Sequence, residues 1–186
     1  MTTRGTTPRH QGSAVGRRLR ELREARGLTL SELARVAGVG KATLSGLENG
    51  TRDPRLETLY AIAAALGVPM SGLTLDRGAP ASAASPVRGE AVVSTLLEVF
   101  EEPAATYELF ALRIVVGVAQ VSPAHPAGVT EHLTVFRGQA LVGPVGAPLS
   151  AGPGEHVSWA ADTPHRYAAV GPEEVEASLL IRTPRR

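Results

Sequence analysis

The 186-residue chain has no cysteine, and aromatic residues make up only 4% of it. The lack of cysteine excludes disulfide bonds, cysteine zinc sites and a cysteine nucleophile. So few aromatic side chains argue against a stacking platform for single-stranded nucleic acid. Long apolar runs are also missing, and the start of the chain has no apolar core, so we expect neither a membrane-spanning helix nor a secretory signal. These absences predict a soluble protein of the cytoplasm.

Charge and proline are distributed unevenly, although the net charge of the whole chain is only +1. Residues 1–75 carry 11 basic and 6 acidic side chains, whereas residues 76–186 carry 8 and 12. Of the 14 prolines, 11 follow residue 75. Helices tolerate few internal prolines, whereas loops and strand ends accept many. The composition therefore predicts a basic helical domain with a polyanionic partner, followed by an acidic domain of strands and loops.

The same changes in composition divide the chain into four segments. We predict a disordered tail at 1–12 and the helical domain at 13–75. Residues 76–90 are rich in Ala, Ser, Pro and Gly without apolar periodicity, which is typical of a flexible linker. The second domain is expected at 91–186.

Apolar periodicity and capping patterns predict the helices of the first domain. Val15, Leu19 and Leu22 share one face of a first helix. The tetrapeptide Thr29–Glu32 has the pattern of a capping box and begins a second helix. Asp53-Pro54 predicts the start of a fourth helix, because Asp suits the cap and Pro the first helical position. The apolar stripe of that helix is expected to consist of Leu59, Ile62, Ala63 and Leu66.

Between the second helix and a third, at about 41–49, the spacing is that of a helix-turn-helix. Ala34 supplies a small residue where two helices cross, Gly38 allows a left-handed turn, and Leu44 anchors the next helix. The run GLTLSELARVAGVGKATLSGLENGTRDPRLETLYAIAAALGVP resembles the XRE-type (phage-repressor-like) helix-turn-helix family. The resemblance covers residues 13 to about 73, and LSGLENG followed by DPRLETL is its most specific part.

This resemblance implies double-stranded DNA as the partner, with the third helix in the major groove. It assigns base-facing positions to Lys41, Ala42, Thr43 and Gly46. It assigns positions that approach phosphates to Asn49 and Arg52, and we expect Arg17 or Arg20 to add to these contacts. An ion pair between Arg23 and Glu48 would tie the first helix to the end of the third. Gly46 stands where the family often has a longer polar side chain, so we expect fewer base contacts or a dependence on DNA shape.

The second domain contains short segments enriched in Val, Leu and Ile and separated by Gly and Pro. Strands are predicted at 92–100, 107–121, 132–142, 156–159 and 175–181. Many short strands in about 95 residues favour a barrel or sandwich. We therefore predict an α+β protein in two domains, an all-α bundle followed by an all-β barrel.

Two patterns within these strands resemble the two cupin motifs, over roughly residues 90–183. The first consists of His125, Ala127, Glu131 and Gly138, and the second of Gly154, Ala160, Asp162, His165 and Ala169. In cupins, these motifs bring histidines and a glutamate to one metal ion. Ala127 stands where a second metal histidine is usual, which leaves His125, Glu131 and His165. Two histidines and a carboxylate suit a divalent ion such as Fe, Mn, Zn or Ni.

Three interpretations of the barrel stay open on this evidence. It could be a metal-free pocket for a small organic effector, a metal-containing sensor, or a metal-dependent oxygenase or isomerase that the helical domain tethers to DNA. His165 could instead only cap a turn, and the helical domain could be a protein-interaction module. We favour a transcriptional regulator with a cupin-like sensor. Because one recognition helix reads few base pairs, we expect a homodimer on a pseudo-palindromic operator.

Overall fold

The computed structural model describes residues 12–75 and 86–185. Within these ranges, five helices precede ten strands, and every strand pair is antiparallel. This architecture confirms the predicted fold class, a helical domain followed by an all-β domain. The predicted tail, apart from residue 12, and residues 76–85 of the predicted linker lie outside the described residues. No helix in the described part is long and apolar enough to cross a membrane.

The helical domain consists of α1 (Gly12–Ala25), α2 (Leu30–Ala37), α3 (Lys41–Glu48), α4 (Leu56–Leu66) and α5 (Ser71–Thr74). The capping box at α2 is formed as expected: the Thr29 hydroxyl accepts a hydrogen bond from Glu32 N at 3.2 Å, and the Glu32 carboxylate accepts one from Thr29 N at 2.8 Å. Gly38 ends α2 with a φ of 65°, which turns the chain into α3. The predicted start of α4 at Asp53-Pro54 was wrong, because the helix begins after Arg55 without a side-chain cap.

The β domain consists of two facing sheets. Its strands are β1 (Val87–Arg88), β2 (Val92–Glu101), β3 (Ala105–Ile114), β4 (Ala119–Ser122), β5 (Thr130–Arg137), β6 (Gln139–Pro144), β7 (Leu149–Ala151), β8 (His156–Ala160), β9 (His165–Val170) and β10 (Val175–Pro184). One sheet has the order β1-β2-β3-β10-β5-β8, and the other has the order β4-β9-β6-β7. Their inner faces share one apolar core, which includes Phe110, Leu133, Trp159 and Leu179.

Some strand predictions need correction. The segments 107–121 and 132–142 are each two strands, because Gly117 and Gly138 adopt positive φ and break them. At Gly138, a Cβ atom would also lie 2.5 Å from the Glu174 carbonyl oxygen, so a side chain does not fit there. The short strands β1, β7 and β9 were not predicted, and β1 lies within residues 76–90.

The helical domain packs directly on the β domain through α4 and α5. Leu56, Tyr60 and Met70 are buried in the core of the β domain. Glu108 of β3 accepts a hydrogen bond from the backbone N–H of Ser71 at 2.5 Å. On the other side of the joint, the Glu57 carboxylate accepts one from Glu90 N at 2.9 Å. Tertiary contacts therefore hold the two domains together, in addition to the chain that connects them.

Within the helical domain, a buried carboxylate ties α1 to α3. Glu48 Oε1 lies 2.7 Å from Arg23 Nε, and Glu48 Oε2 lies 3.2 Å from Arg20 Nε. The Glu48 side chain is fully buried. Burial by itself raises the pKa of Glu48, but the hydrogen bonds and positive charges of the two arginines bring it below its ordinary value.

We predict that Glu48→Ala lowers the free energy of unfolding of the helical domain by about 3 kcal/mol at pH 7, because it leaves Arg23 without its buried partner. The pKa of Glu48 is lower in the folded protein than the ordinary 4.5, so this stabilisation is complete above pH 4.5 and is lost as the pH falls through the folded-state value. Thermal unfolding followed by helical circular dichroism measures both effects. Glu21→Ala removes an exposed partner of Arg18 and should cost less than about 1 kcal/mol. Equal melting of the two variants would contradict the role given to Glu48.

Candidate functional site

Three titratable side chains meet inside the β domain. His125 comes from the loop before β5, Glu131 from β5 and His165 from the start of β9. His125 Nε2 lies 2.9 Å from Glu131 Oε1, and His165 Nε2 lies 3.4 Å from the same oxygen. One ligating atom from each residue lies within 4.8 Å of the other two. The structure thus brings together the three residues that the cupin motifs singled out.

Strand register decides which neighbouring residue reaches this cluster. Glu131 is fully buried, so the next residue, His132, lies on the outer face of the sheet. There, the His132 ring stacks on His156 with a centroid distance of 5.8 Å. Ala127, at the position of the missing histidine, is exposed in a turn. The described cluster therefore consists of two histidines and one carboxylate.

Tyr167 is a member of the cluster that sequence analysis missed. Its hydroxyl donates a hydrogen bond to Glu131 Oε2, and its side chain is buried. Tyr167 follows His165 by two residues on β9, so both side chains point to the same face of the strand. The spacing of two residues from His165 was the sequence signal from which Tyr167 could have been predicted.

The electrostatics of the cluster keep Glu131 ionised. Burial by itself raises the pKa of Glu131, but contacts with His125 and His165 lower it to about 2. Burial lowers the pKa of His165, and the Glu131 carboxylate outweighs this and raises it. Burial, together with Glu131, raises the pKa of Tyr167 well above its usual value, so Tyr167 stays a neutral donor.

His165 has the geometry of a metal ligand. Its Nδ1 lies 2.9 Å from the Thr163 carbonyl oxygen, which can only accept, so Nδ1 carries the hydrogen. In the neutral ring the lone pair is then on Nε2, which is buried and faces Glu131 Oε1 at 3.4 Å without forming a hydrogen bond. Such a backbone partner commonly fixes the orientation of a ligating histidine. With Glu131 and His125, this donor set fits a divalent transition-metal ion.

The second functional surface is that of α3. Lys41 and Ala42 are exposed, and Thr43 is half-buried. Gly46, expected among the base-facing positions, is instead buried. A Cβ atom there would lie 2.9 Å from Cγ and Cδ of Arg52, because the Arg52 side chain lies across the helix at this point. The Arg52 side chain therefore covers the surface of α3 at Gly46.

Two further basic side chains, Arg17 and Arg20, come from the middle of α1. Arg17 is exposed on α1. Arg20 Nη2 donates to Asn49 Oδ1 at 3.2 Å, while its Nε contacts Glu48. Asn49 ends α3 and is exposed. Arg20 is thus held in position by contacts within the protein.

Comparisons with known proteins identify the family of the chain. Residues 19–73 match the family model described as Helix-turn-helix. The chain is 34% identical over 168 residues to the HTH-type transcriptional regulator SutR of Escherichia coli (strain K12). The aligned residues make up 90% of this chain and 93% of SutR. The chain belongs to the family of HTH-type transcriptional regulators.

Two solved structures of transcriptional regulators are similar to this HTH-type regulator. The crystal structure of an HTH_3 family transcriptional regulator from Vibrio cholerae superposes with a TM-score of 0.82 and 28% sequence identity. The superposed region is 94% of this chain and 97% of the Vibrio cholerae chain. The Cupin_2 domain of an XRE family transcriptional regulator from Enterobacter cloacae covers 52% of the chain and 100% of its own, with a TM-score of 0.47 and 29% identity. The match to the Vibrio cholerae structure over almost the whole chain agrees with a helix-turn-helix domain followed by an all-β domain. We call the β domain, which carries the two cupin-like motifs, the cupin-like domain.

We predict that Tyr167→Phe lowers the stability of the cupin-like domain by about 1–3 kcal/mol, because a buried oxygen of the ionised Glu131 loses its donor. Unfolding followed by the fluorescence of Trp159, whose ring lies 6.1 Å from Tyr167, measures the change. Tyr107→Phe, on the outer face of β3, is the matched control and should melt like the wild type. Identical melting of both variants would show that the Tyr167 hydroxyl does not stabilise Glu131.

Proposed function

We propose that this regulator binds a pseudo-palindromic operator in double-stranded DNA as a homodimer, and that its cupin-like domain senses a small-molecule effector through a divalent metal ion. His125, Glu131 and His165 would hold the ion. The observation that supports the sensor most directly is the buried, unpartnered Nε2 of His165 beside the ionised Glu131. A buried polar atom without a partner is costly, and a metal ion would satisfy it.

The DNA-binding half of the proposal depends on the exposed end of α3. Lys41 and Ala42 project from its first turn, where a recognition helix meets base edges. A lysine donates to guanine acceptors, and the methyl groups of Ala42 and Thr43 suit a thymine methyl. Arg17, Arg20, Asn49 and Arg52 are the proposed phosphate contacts, in a segment of net charge +5.

A second copy of the chain is the proposed partner for the six-stranded sheet. Phe136 is 62% exposed, and Leu97 and Phe100 of the same sheet are exposed as well. Single exposed apolar side chains are common on protein surfaces, and β3 and β10 separate Phe136 from the other two, so these residues indicate only where a dimer contact on this sheet would bury apolar area. A two-fold dimer would place two α3 helices on half-sites one helical turn, or a multiple of it, apart.

The metal ion would supply the chemistry that recognises the effector. Three protein ligands leave coordination positions open, so a bound ion offers a Lewis-acid site for an oxygen or nitrogen atom of a small molecule. Tyr167 and Thr163 hold Glu131 and His165 in position for this task. Glu131 also contributes the negative charge that favours a cation in a buried site.

The first prediction of this proposal concerns base reading. Lys41→Ala combined with Thr43→Ala should weaken specific binding by about 1–3 kcal/mol for each base that is no longer read, while binding to unrelated DNA persists through phosphate contacts. Gel shifts with a fragment that the wild type selects from random DNA give both affinities and the number of chains bound. Thr95→Ala, on the β domain, is the control. A double variant with unchanged sequence preference would reject this assignment, and one chain per site would reject the dimer.

The second prediction concerns the metal. Purified wild-type protein should bind about one equivalent of Fe(II), Mn(II), Zn(II) or Ni(II), and His165→Ala should lose it, because the ligand with the free buried lone pair is gone. Elemental analysis and calorimetric titration measure the stoichiometry. His156→Ala removes an exposed histidine outside the cluster and should bind like the wild type. Absence of metal binding in the wild type would refute the metal sensor.

A further inference from the structure

One aromatic side chain of the DNA-binding domain, that of Tyr60, covers His125 at one end of the cupin-like domain. We call this end the mouth of the domain. Tyr60 of α4 packs edge-on against the His125 ring, with centroids 4.9 Å apart and an interplanar angle of 80°. Its side chain is buried, and it lies in the same apolar cluster as Trp159 and Tyr167. A residue of the DNA-binding domain is therefore in direct contact with a proposed metal ligand.

A cleft lies on the outer side of this contact, between the two domains. Its volume is about 920 Å³, and both Tyr60 and His125 line it. Among the described residues, Glu131 and His165 are not part of the lining. The Tyr60–His125 pair therefore forms the wall that separates the cleft from the other two members of the metal cluster.

The lining of the cleft indicates the class of molecule that it would take. Most of the lining is apolar, with Val36, Ala64 and Val68 from the DNA-binding domain and Pro126, Val129 and Ile181 from the cupin-like domain. Such a surface suits an organic molecule with an apolar body. To reach the metal cluster, the same molecule needs one oxygen or nitrogen donor atom that can pass the wall.

We propose that Tyr60 is a gate between this cleft and the metal cluster, and that an organic effector which reaches the metal displaces α4 and so loosens the DNA-binding domain from the cupin-like domain. The proposal rests on the metal-dependent sensing proposed above. Tyr60 is buried together with Leu56 of α4 and Met70, so its ring cannot leave the mouth without disturbing that contact. The opposite side of α4, with Leu59 and Ile62, packs in the core of the DNA-binding domain.

Two hydrogen bonds to carboxylates would hold the gate shut. The buried Glu108 accepts a hydrogen bond from Ser71 N, and Glu57, three residues before Tyr60 on α4, accepts one from Glu90 N. An effector that binds only the open arrangement would shift the population towards it, to the extent that its binding offsets the breaking of these hydrogen bonds. Metal-site occupancy and domain docking would then be linked.

Trp159, the only tryptophan, reports on the gate. Its indole is 6% exposed, and its ring lies 6.4 Å from that of His165, behind the wall. We expect Tyr60→Ala to increase the acrylamide quenching constant of Trp159 several-fold, because the mouth opens. Tyr60→Phe keeps the ring and should behave like the wild type, and Tyr107→Ala is the control for removal of a tyrosine elsewhere. Equal quenching in Tyr60→Ala and the wild type would overturn the gate.

Metal entry gives a second readout. In stopped-flow mixing with Ni(II), we expect entry several-fold faster in Tyr60→Ala, with unchanged stoichiometry because all three ligands remain. An unchanged entry rate would overturn the gate. If the wild type binds none of Fe(II), Mn(II), Zn(II) and Ni(II), the metal sensor is refuted, and the quenching experiment still decides whether Tyr60 closes the mouth.

The link to domain docking is tested at a distance from the pocket. Glu57→Ala deletes the hydrogen bond to Glu90 N and leaves Tyr60 and the metal cluster intact. We expect it to raise acrylamide quenching of Trp159 as well, to a smaller extent than Tyr60→Ala. Glu24→Ala, an exposed glutamate on α1, is the matched control. If Trp159 is quenched in Glu57→Ala as in the wild type, domain docking and the gate are not coupled. This result can be obtained even if Tyr60→Ala does not fold.

Discussion

The interior of the cupin-like domain depends on the charge of Glu131. A buried carboxylate is stable only if neighbouring groups replace the water that it has lost. His125, His165 and Tyr167 provide that compensation, and they come from two different regions of the chain. One requirement, to satisfy a single anion, thus fixes the loop before β5 against β9. Two of these groups, His125 and His165, are together with Glu131 the proposed metal ligands.

Local patterns predicted much of this molecule from the sequence. The helix-turn-helix was predicted from residues within ten positions of one another, and the capping box of α2 from four consecutive residues. His125, Glu131 and His165 were identified by the cupin motifs, whose spacing reflects strand register. Tyr167 was missed because its role depends on a contact with Glu131, 36 residues earlier in the chain. Strand ends were missed where single glycines break a continuous apolar run.

The joint between the domains shows the same limit in another form. The sequence predicted one buried stripe on α4, which includes Leu59 and Ile62, and a flexible linker between two domains. In the structure, Leu56 and Tyr60 on another side of α4 are also buried, against the cupin-like domain. A helix that is apolar nearly all round is typical of burial on more than one side. The composition of α4 therefore contained the signal, but not the identity of the second surface.

Gly46 has a consequence for how such a protein would evolve. Because Arg52 fills the space above it, any larger residue at position 46 would have to expel that arginine before it could face a base. For a protein that reads DNA with this helix, the information comes from the first turn of α3 and from groove shape. In the proposed DNA-binding mode, a longer side chain at position 46 would therefore gain a base contact only together with a change at Arg52.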